Sequence, residues 1–490
     1  MSAYRALTLA GLVAAQAART PDALAIAFDG DQWTYRRFAA RVAQVANFAA
    51  SRGISAGDRV LLCAPNSPEY LAVVLGVSSL GAAVATPNPQ LSQPELDAVS
   101  DDCIPRLAFL DDRRDLPGIA TIRCGTELDC LLDAASDHAV DCGIDETATF
   151  AIAYTSGTTG LPKGVMLSHR SRALTAMAAA IEYRCFGPGH RFLGITPLCH
   201  GAGFAYAVAN LLLGGTLELE RDYDTDRVIQ RLAGDALTGI FVVPTILRRL
   251  LDAGLVTGPR LSAIICNAAA LAQPLKERAV AALGDGLLHE TYGSTEAGIV
   301  ANLQPVDQLT TSNSVGRPFL GVEVSLRAAD GCEVATGLPG ELFARGPYGF
   351  NGYLNRPDAT AEAVHDNWVT VGDIAIRDER GFLHIVDRKG DLIITGGLNV
   401  YPREIETVLL ACPGVADAAV IGIADPEWGE RIHAVVVRMP GSAVAIDALD
   451  LACAAHLASY KRPKTIAFVD MLPRSAAGKL MRRELVAASV

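Results

Sequence analysis

The feature that most constrains the fold of this chain is a repeated alternation of short apolar runs with amphipathic helical segments. Apolar positions recur at helical spacing over 36–50, and the run RVLLCAP (59–65) that follows is typical of a buried strand. An amphipathic helix from Glu69 and the run AAVATPN come next. The alternation then returns at FAIAYT, GITPL, GTLEL, GIFVVP and SAIIC. Strands that alternate with helices in this way predict βαβ units and an α/β fold.

The sequence pattern changes in two later regions. Short strands and Gly/Pro turns over 321–346 predict a small β-rich subdomain. After Arg388 the alternation resumes on a smaller scale, through EIETVLLACPGV, AAVIGIAD, HAVVVRM and a helix before Tyr460. Because 490 residues are too many for one core, we expect about three folding units.

The charge balance argues against a polyanionic macromolecule as the main partner. The 42 Lys and Arg residues face 54 Asp and Glu residues, which gives a net charge of −12. A nucleic acid or an anionic membrane surface is therefore not expected, and a small polyanionic ligand needs local positive groups.

The cysteines and the first residues indicate the cellular compartment of the protein. The eleven cysteines are scattered, with no C-x-x-C pair, which is typical of buried thiols in a reducing cytoplasm. The start resembles a signal peptide superficially, but Gln16, Arg19 and Asp22 favour an amphipathic helix ended by Thr20-Pro21. No apolar run reaches the roughly 18 residues of a membrane span. We expect a cytoplasmic enzyme.

One catalytic motif occurs in the wrong context. Residues 53–57 match the hydrolase pattern G-x-S-x-G, which requires a strand before the serine and a helix after it. Here a predicted helix precedes Ser55 and a predicted strand follows it. A helix-to-strand turn is therefore favoured over a nucleophile.

The segment TSGTTGLPKG (155–164) follows the apolar strand FAIAY directly. Loops at the carboxyl end of a core strand are where open α/β sheets bind ligands. The hydroxyl groups and the backbone N–H groups freed by glycines can surround a phosphate, and Lys163 adds a positive charge. A Walker A loop is excluded, because Gly164 stands where that motif needs a hydroxyl.

The segment YTSGTTGLPKGV closely resembles the signature loop of the adenylate-forming superfamily, which includes acyl-CoA and aryl-CoA synthetases. The resemblance covers essentially the whole chain, because further motifs follow in the family's order. They are PLCHGAGF (197–204), NAAAL (267–271), TYGSTEAG (291–298), GYLNRPDAT (352–360), TVGDIA (370–375), VDRKGDLIITGGLNVYPREIE (386–406) and PRSAAGKLMRREL (473–485).

The resemblance implies an enzyme that uses ATP, Mg²⁺ and coenzyme A, with a large N-terminal domain (1–387), a hinge (388–391) and a small mobile α+β C-terminal lid domain (392–490). The large domain would combine α/β-layered subdomains with a small β-barrel-like one. Gly390 occupies the position where the family usually has Lys or Asp at its hinge. A simple surface turn is the alternative for this residue.

The resemblance also implies the roles of the nucleotide-binding residues. The phosphate-binding residues would be Thr155, Ser156, Gly157, Thr158, Thr159 and Lys163. Thr155 would also lie near the metal. Thr295 would contact the α-phosphate, and Glu296 would bind Mg²⁺. The adenine-binding segments comprise Asn267, Ala268 and Ala269, then Thr291, Tyr292, Gly293 and Ser294. Asp373 would accept hydrogen bonds from both ribose hydroxyls with help from Arg388.

The two half-reactions would use different parts of the lid. Lys479 matches the family's catalytic lysine, which bridges the attacking carboxylate and the α-phosphate. Gly396, Gly397 and Leu398 match the wall of the pantetheine tunnel, and Lys461 would contact the phosphates of CoA unless it belongs to a solvated basic turn. His200 matches a histidine that gates the acyl pocket, with a structural core histidine as the alternative.

The implied acyl pocket is small and uncharged. It comprises His200, Gly201, Ala202, Ala269, Gly293 and Gly298. We therefore expect a hydrophobic monocarboxylic acid with an aromatic, alicyclic or fatty acyl group, because a second charge would need a buried partner. Three functions stay open: an acid–CoA ligase, acting as monomer or homodimer; a stand-alone enzyme that loads a carrier protein; and a nucleotide-binding protein that has lost catalysis.

Overall fold

The computed structural model describes residues 6–140, 142–155, 163–396, 398–474 and 480–489. The helices in these residues are α1 (Leu9–Arg19), α2 (Tyr35–Ser51), α3 (Pro68–Ser78), α4 (Gln93–Cys103), α5 (Thr126–Asp133), α6 (His169–Tyr183), α7 (Gly201–Leu213), α8 (Thr225–Ala233), α9 (Pro244–Asp252), α10 (Gln273–Leu283), α11 (Pro357–Ala363), α12 (Pro402–Leu410), α13 (Ile446–His456) and α14 (Arg482–Ser489).

The strands in the same residues are β1 (Leu24–Phe28), β2 (Asp31–Thr34), β3 (Arg59–Cys63), β4 (Ala83–Ala85), β5 (Leu107–Leu110), β6 (Thr121–Arg123), β7 (Thr149–Thr155), β8 (Lys163–Ser168), β9 (Arg191–Gly194), β10 (Thr216–Leu219), β11 (Gly239–Val242), β12 (Ala263–Cys266), β13 (Leu288–Ser294), β14 (Gly298–Leu303), β15 (Arg317–Pro318), β16 (Glu323–Arg327), β17 (Gly340–Arg345), β18 (Val364–His365), β19 (Trp368–Val369), β20 (Asp373–Arg377), β21 (Leu383–Arg388), β22 (Ile393–Thr395), β23 (Leu398–Val400), β24 (Val415–Asp425), β25 (Gly429–Arg438) and β26 (Thr465–Val469).

Two predominantly parallel sheets form the centre of the large N-terminal part. The nine-stranded sheet has the order β15-β14-β13-β12-β11-β9-β10-β1-β2. Within it, the six consecutive strands from β13 to β1 are parallel to one another. The second sheet has the order β6-β5-β3-β4-β7-β8 and is parallel up to β7. Strands β11 and β12 are buried at all four positions, which is why they consist of apolar runs without alternation.

Two smaller sheets complete the fold. Strands β16 to β21 form an antiparallel sheet, as the Gly/Pro-rich region predicts. The last sheet has the order β23-β22-β25-β24, with β26 beside β25, and helices α12 and α13 share its apolar core. Strand β21 ends at Arg388 and β22 begins at Ile393, so the predicted hinge residues connect one sheet to the next. The α/β fold class with a small C-terminal α+β unit is confirmed.

Local predictions have mixed outcomes. The first segment is helix α1, capped by the Thr8 side chain, as the favoured alternative predicted. Ser55 lies in the turn between α2 and β3, where its hydroxyl donates to Asp58. The predicted strand at GITPL is wrong: the strand ends at Gly194, and the following residues lead to the start of α7. Among the described residues, no helix is both long and apolar enough to cross a membrane.

Candidate active site

A central cavity opens at the carboxyl ends of the parallel strands β7, β12 and β13. This is the edge at which α/β sheets bind ligands. The residues of the cavity wall include most of those predicted for nucleotide and substrate, namely Thr155, His200, Gly201, Ala202, Asn267, Ala268, Ala269, Thr291, Tyr292, Gly293, Ser294, Thr295, Gly298, Asp373 and Arg388. The fold therefore brings together motifs that are far apart in the sequence.

Other predicted site residues lie elsewhere. Ser156, Gly157, Thr158, Thr159, Gly397 and Lys479 are outside the described residues. Gly396, Leu398 and Lys461 do not line the central cavity. The Nζ atom of Lys461 lies 2.7 Å from both carboxylate oxygens of Glu404, so any phosphate that approached it would compete with this ion pair.

Asp373 is the centre of a polar cluster at the nucleotide end of the cavity. One of its oxygens accepts a hydrogen bond from the hydroxyl of Tyr292, and the other accepts from Nε of Arg388 at 2.9 Å. The register pairs Asp373 with Arg388 across β20 and β21. Because each carboxylate oxygen has two lone pairs, the clamped side chain can still accept further hydrogen bonds from a ligand. A buried, oriented carboxylate of this kind fits a ribose diol.

Two glycines allow the hairpin β13–β14 to close tightly beside the cavity. A Cβ on Gly293 would lie 2.1 Å from the carbonyl oxygen of Gly298, which no side chain tolerates. Gly298 has φ +73°, and its Cβ would lie 2.8 Å from the carbonyl oxygen of Tyr348. The backbone at the turn of this hairpin is therefore open to a close-lying ligand, and Thr295 and Glu296 occupy that turn.

Glu296 and Lys163 form a second polar group around one aromatic ring. The hydroxyl of Tyr353 donates to Glu296 at 2.8 Å, and Nζ of Lys163 lies 5.0 Å from the centre of the Tyr353 ring. Neither charged residue lines the central cavity. In the described part of the chain, no three His, Cys, Asp or Glu side chains are grouped as a metal site. A single carboxylate fits Mg²⁺, which typically takes one or two protein carboxylates together with substrate phosphates.

His200 joins the cavity to helix α7. It is the residue immediately before the helix, and its Nε2 lies 3.4 Å from the side-chain nitrogen of Asn88. A Cβ on Gly201 would lie 3.6 Å from the Thr295 side chain, so the helix begins against the turn of the β13–β14 hairpin. The positive end of the α7 dipole consequently lies beside Thr295, where negative charge is stabilised.

The segment after β12 adopts an unusual backbone. Ala268 has φ +75°, in the left-handed region that costs an alanine about 1 kcal/mol or more. Its amide donates to the side-chain oxygen of Asn267, which stabilises the turn. Asn267, Ala268 and Ala269 line the cavity, as an adenine-binding segment would.

A buried ion pair lies behind the nucleotide end of the cavity, and sequence reasoning missed it. Lys276 on α10 is fully buried, and its Nζ lies 2.6 Å from the carboxylate of Glu290 on β13. Nζ also donates to the carbonyl oxygen of Ser314 at 3.3 Å. Burial raises the pKa of Glu290, and the charge of Lys276 opposes that rise. Glu290 precedes Tyr292 by two residues, so the pair fixes the strand that carries the predicted adenine contact.

Three acidic residues hold the segment 388–391 in place. Asp387 accepts hydrogen bonds from the backbone N–H groups of Arg388 at 2.8 Å and of Arg403, in the first turn of α12, at 3.0 Å. Asp391 and Glu406 both bind the guanidinium of Arg482, at 3.2 Å and 2.7 Å. These contacts join the end of β21 to helices α12 and α14.

Gly390 lies in the turn of this segment and has no obvious steric need to be glycine. Its φ is outside the left-handed region, and a Cβ there would meet no atom of the described residues within 4 Å. The conformational freedom of Gly390 is therefore not used in this arrangement. Rotation about this residue remains a proposal.

Changing Asp387 to Asn is expected to alter the pH dependence of stability. Burial raises the pKa of Asp387 from 3.8 to about 6, against the opposing effect of its two backbone hydrogen bonds. Since the folded-state pKa is the higher one, the stability associated with its protonated form is complete below pH 3.8 and is lost as the pH rises to about 6. The loss is at most about 3 kcal/mol.

Urea unfolding of the wild type and the Asp387→Asn variant, measured between pH 4 and pH 7, checks this result. The free energy of unfolding of Asp387→Asn, relative to that of the wild type, should rise as the pH increases over that interval. The exposed Asp97→Asn variant serves as the control and should follow the wild type. Parallel curves for wild type and Asp387→Asn would contradict the buried position of this carboxylate.

Comparison with known proteins agrees with this geometry. The family model described as "AMP-binding enzyme" matches residues 13–354, and the model described as "AMP-binding enzyme C-terminal domain" matches residues 404–479. Feruloyl-CoA synthase from Amycolatopsis sp is 34% identical over 486 residues, which cover 96% of each chain. A 2-succinylbenzoate–CoA ligase from Geobacillus kaustophilus is 34% identical over 474 residues, 95% of each chain.

Solved structures show the same overall similarity. ATP-bound MatB from Rhodopseudomonas palustris superposes with a TM-score of 0.89, at 30% identity and with 98% of each chain covered. The o-succinylbenzoate CoA synthetase MenE from Bacillus subtilis, in complex with an acyl-adenylate intermediate, gives a TM-score of 0.88 at 28% identity over 97% of each chain. With both family models matched and the similarity extending over nearly the full length, the chain belongs to the AMP-binding enzyme family, the adenylate-forming superfamily.

Proposed function

We propose that this chain activates a carboxylic acid with an aromatic, alicyclic or fatty skeleton and transfers its acyl group to coenzyme A. The class of enzyme is that of its family and relatives, an AMP-forming acid–CoA ligase that uses ATP, Mg²⁺ and CoA. In the first step the carboxylate attacks the α-phosphate and pyrophosphate leaves. In the second, the thiol of CoA attacks the acyl carbon and AMP leaves.

The observation that carries the proposal is the clamped carboxylate of Asp373 in the cavity wall. Tyr292 and Arg388 hold it from two sides, so its orientation is fixed before a ligand arrives. A preorganised acceptor loses little conformational entropy on binding, and a vicinal diol offers it two donors. Asn267 and Ala268 line the same cavity and can accompany the base.

The chain's own residues can orient and neutralise the reacting groups. Thr295 and the start of α7 converge on one point, where a hydroxyl and a helix N-terminus can stabilise charge on the α-phosphate. Glu296 would hold Mg²⁺, which supplies neutralisation of the phosphate oxygens when it is bound. His200, at the mouth of the acyl region, would orient the incoming carboxylate.

The acyl region of the cavity is mostly apolar. Its wall includes Ala202, Ala205, Phe241 and Ile299. The last three are buried, so an apolar acyl skeleton placed there would leave water. This composition supports a hydrophobic skeleton over an amino acid, whose ammonium group would need a buried partner.

A pyrophosphate-release assay over a panel of carboxylic acids, with and without CoA, tests the proposal. We expect release with at least one acid of the proposed class and a CoA thioester when CoA is present. Release of pyrophosphate without any CoA thioester would indicate the thiol of a carrier protein as acceptor. Absence of release with every acid would indicate that catalysis has been lost.

The expected partners are small molecules, and the expected location is the cytoplasm. The small acid and CoA are the partners expected from the relatives. We propose that the protein works in the cytoplasm, as monomer or homodimer, because its eleven cysteines are scattered and unpaired in the structure, and six of them are buried. Size-exclusion chromatography with light scattering distinguishes the two oligomeric states.

A further inference from the structure

One arginine in the wall of the acyl region has no hydrogen-bond or ion-pair partner among the described residues. Arg172 is on helix α6, is only 9% exposed, and faces the central cavity. Its Nε is buried and makes no hydrogen bond, and no hydrogen bond or ion pair of this guanidinium exists among the residues that the structure describes. The arginine is therefore unlike the many surface arginines of this chain, which pair with carboxylates.

The surroundings of Arg172 do not compensate its charge. The cavity wall near it includes Thr175, Tyr206 and Phe241, all buried and none of them acidic. The hydroxyl of Tyr206 lies 3.5 Å from that of Tyr183, at the side of the same region. Burial lowers the pKa of Arg172 to about 10, so the guanidinium is still positive at neutral pH. A buried, uncompensated charge is costly and is usually retained where a ligand neutralises it.

We propose that the substrate is a diacid, whose second carboxylate binds the guanidinium of Arg172 while the first is activated. This inference rests on the proposed ligase function and names the substrate class of the same site. Arginine suits the role because its planar fork donates two parallel hydrogen bonds to one carboxylate. A neutral acyl tail at this position would leave the charge unpaired in the complex. The diacid replaces the monocarboxylic acid expected from the sequence.

Helix α7 gives a length scale for the separation of the two carboxylates. His200 precedes the first residue of α7, and Tyr206, beside Arg172, lies six residues further along the chain. Six residues of helix extend about 9 Å at 1.5 Å per residue. The two carboxylates should therefore stand at opposite ends of an extended or aromatic skeleton, and a diacid as short as malonate would not reach Arg172.

A comparison of matched acids tests the inference without any variant. The first pair is 4-carboxycinnamate and 4-methylcinnamate, and the second series is linear α,ω-diacids of eight to twelve carbons with monoacids of the same length. We expect the best diacid to exceed its matched monoacid in kcat/KM for pyrophosphate release by at least about a hundredfold. If the best monoacid equals or exceeds every matched diacid, the inference is overturned while the ligase function stands. Failure of all acids would instead contradict the proposed function.

Variants of the arginine give an independent readout. Arg172→Leu should abolish the preference for the diacid and the rise in Tm that the diacid causes, and Arg172→Lys should retain part of both. The free Arg172→Leu protein should be at least as stable as the wild type, because an unpaired buried charge has been removed. Arg170→Leu is the matched control: this exposed residue of the same helix pairs with Glu146 and lies outside the cavity wall. An unchanged preference in Arg172→Leu would overturn the assignment.

Discussion

Replacing Lys479 with alanine is expected to slow adenylation about a thousandfold while conversion of a supplied acyl-AMP to the thioester continues. The residue is outside the described part of the chain, and its role is inferred from the motif PRSAAGK. At an effective dielectric near 20, one positive charge about 4 Å from the reacting oxygens contributes about 4 kcal/mol. That contribution corresponds to about three decades in rate.

Single-turnover assays of the two half-reactions measure the effect. The matched control is Lys464→Ala, which removes an exposed cation of the C-terminal part outside the cavity wall and should leave both rates near those of the wild type. An equal loss in both half-reactions would mean that Lys479 serves a common step or the fold itself. The alternation of the lid between two arrangements would then not apply to this chain.

Replacing Lys276 with alanine is expected to lower the free energy of unfolding by about 3–5 kcal/mol. Lys276 is fully buried and pairs with Glu290 at 2.6 Å, so its loss leaves a buried carboxylate without a counter-charge. Glu290 can escape this cost only by binding a proton. The destabilisation should therefore be smaller at pH 5 than at pH 8, because its pKa, already raised by burial, rises further in the variant.

The double variant Lys276→Met, Glu290→Gln separates charge from packing. It replaces the ion pair by neutral groups of similar size, and most of the lost stability should return. Denaturant titrations at pH 5 and pH 8 provide both comparisons. If the Lys276→Ala variant is only slightly destabilised, and equally so at both pH values, then Lys276 and Glu290 do not form a charged pair in the folded protein. Such a result would also contradict the view that the Lys276–Glu290 pair holds the strand of Tyr292 in place.

The order of elements was largely predictable because their signals are local. Short apolar runs bounded by glycine and proline identified β11 and β12, and the motif series identified the family, which the matched family models confirm. The error at GITPL has a physical reason. Residues 195–199 are largely buried in a connection that lines the cavity, and an apolar run alone does not distinguish such a connection from a strand.

Contacts between distant residues could not be predicted in the same way. The helical period places Arg172 on the buried face of α6, but it does not reveal that no acidic residue of the described chain forms an ion pair with it. Likewise, the bond between Tyr292 and Asp373 joins residues 81 positions apart in two different sheets. A charged residue within an otherwise apolar helix face, as at Arg172 and Lys276, was the signal present in the sequence.

The anchored guanidinium of Arg482 sets a limit on how far the predicted catalytic lysine can travel. Lys479 is three residues before Arg482, and three residues of fully extended chain span about 11 Å at most. Arg482 is in turn attached to Asp391 and Glu406, so the lysine is tethered to the segment that joins the two parts of the protein. Covalent chain length alone keeps the α-carbon of this residue within about that distance of Arg482, so a short search precedes its approach and the entropy cost stays low. Lengthening this tether by inserted glycines would slow the first half-reaction in proportion to the volume searched, even with every charge retained.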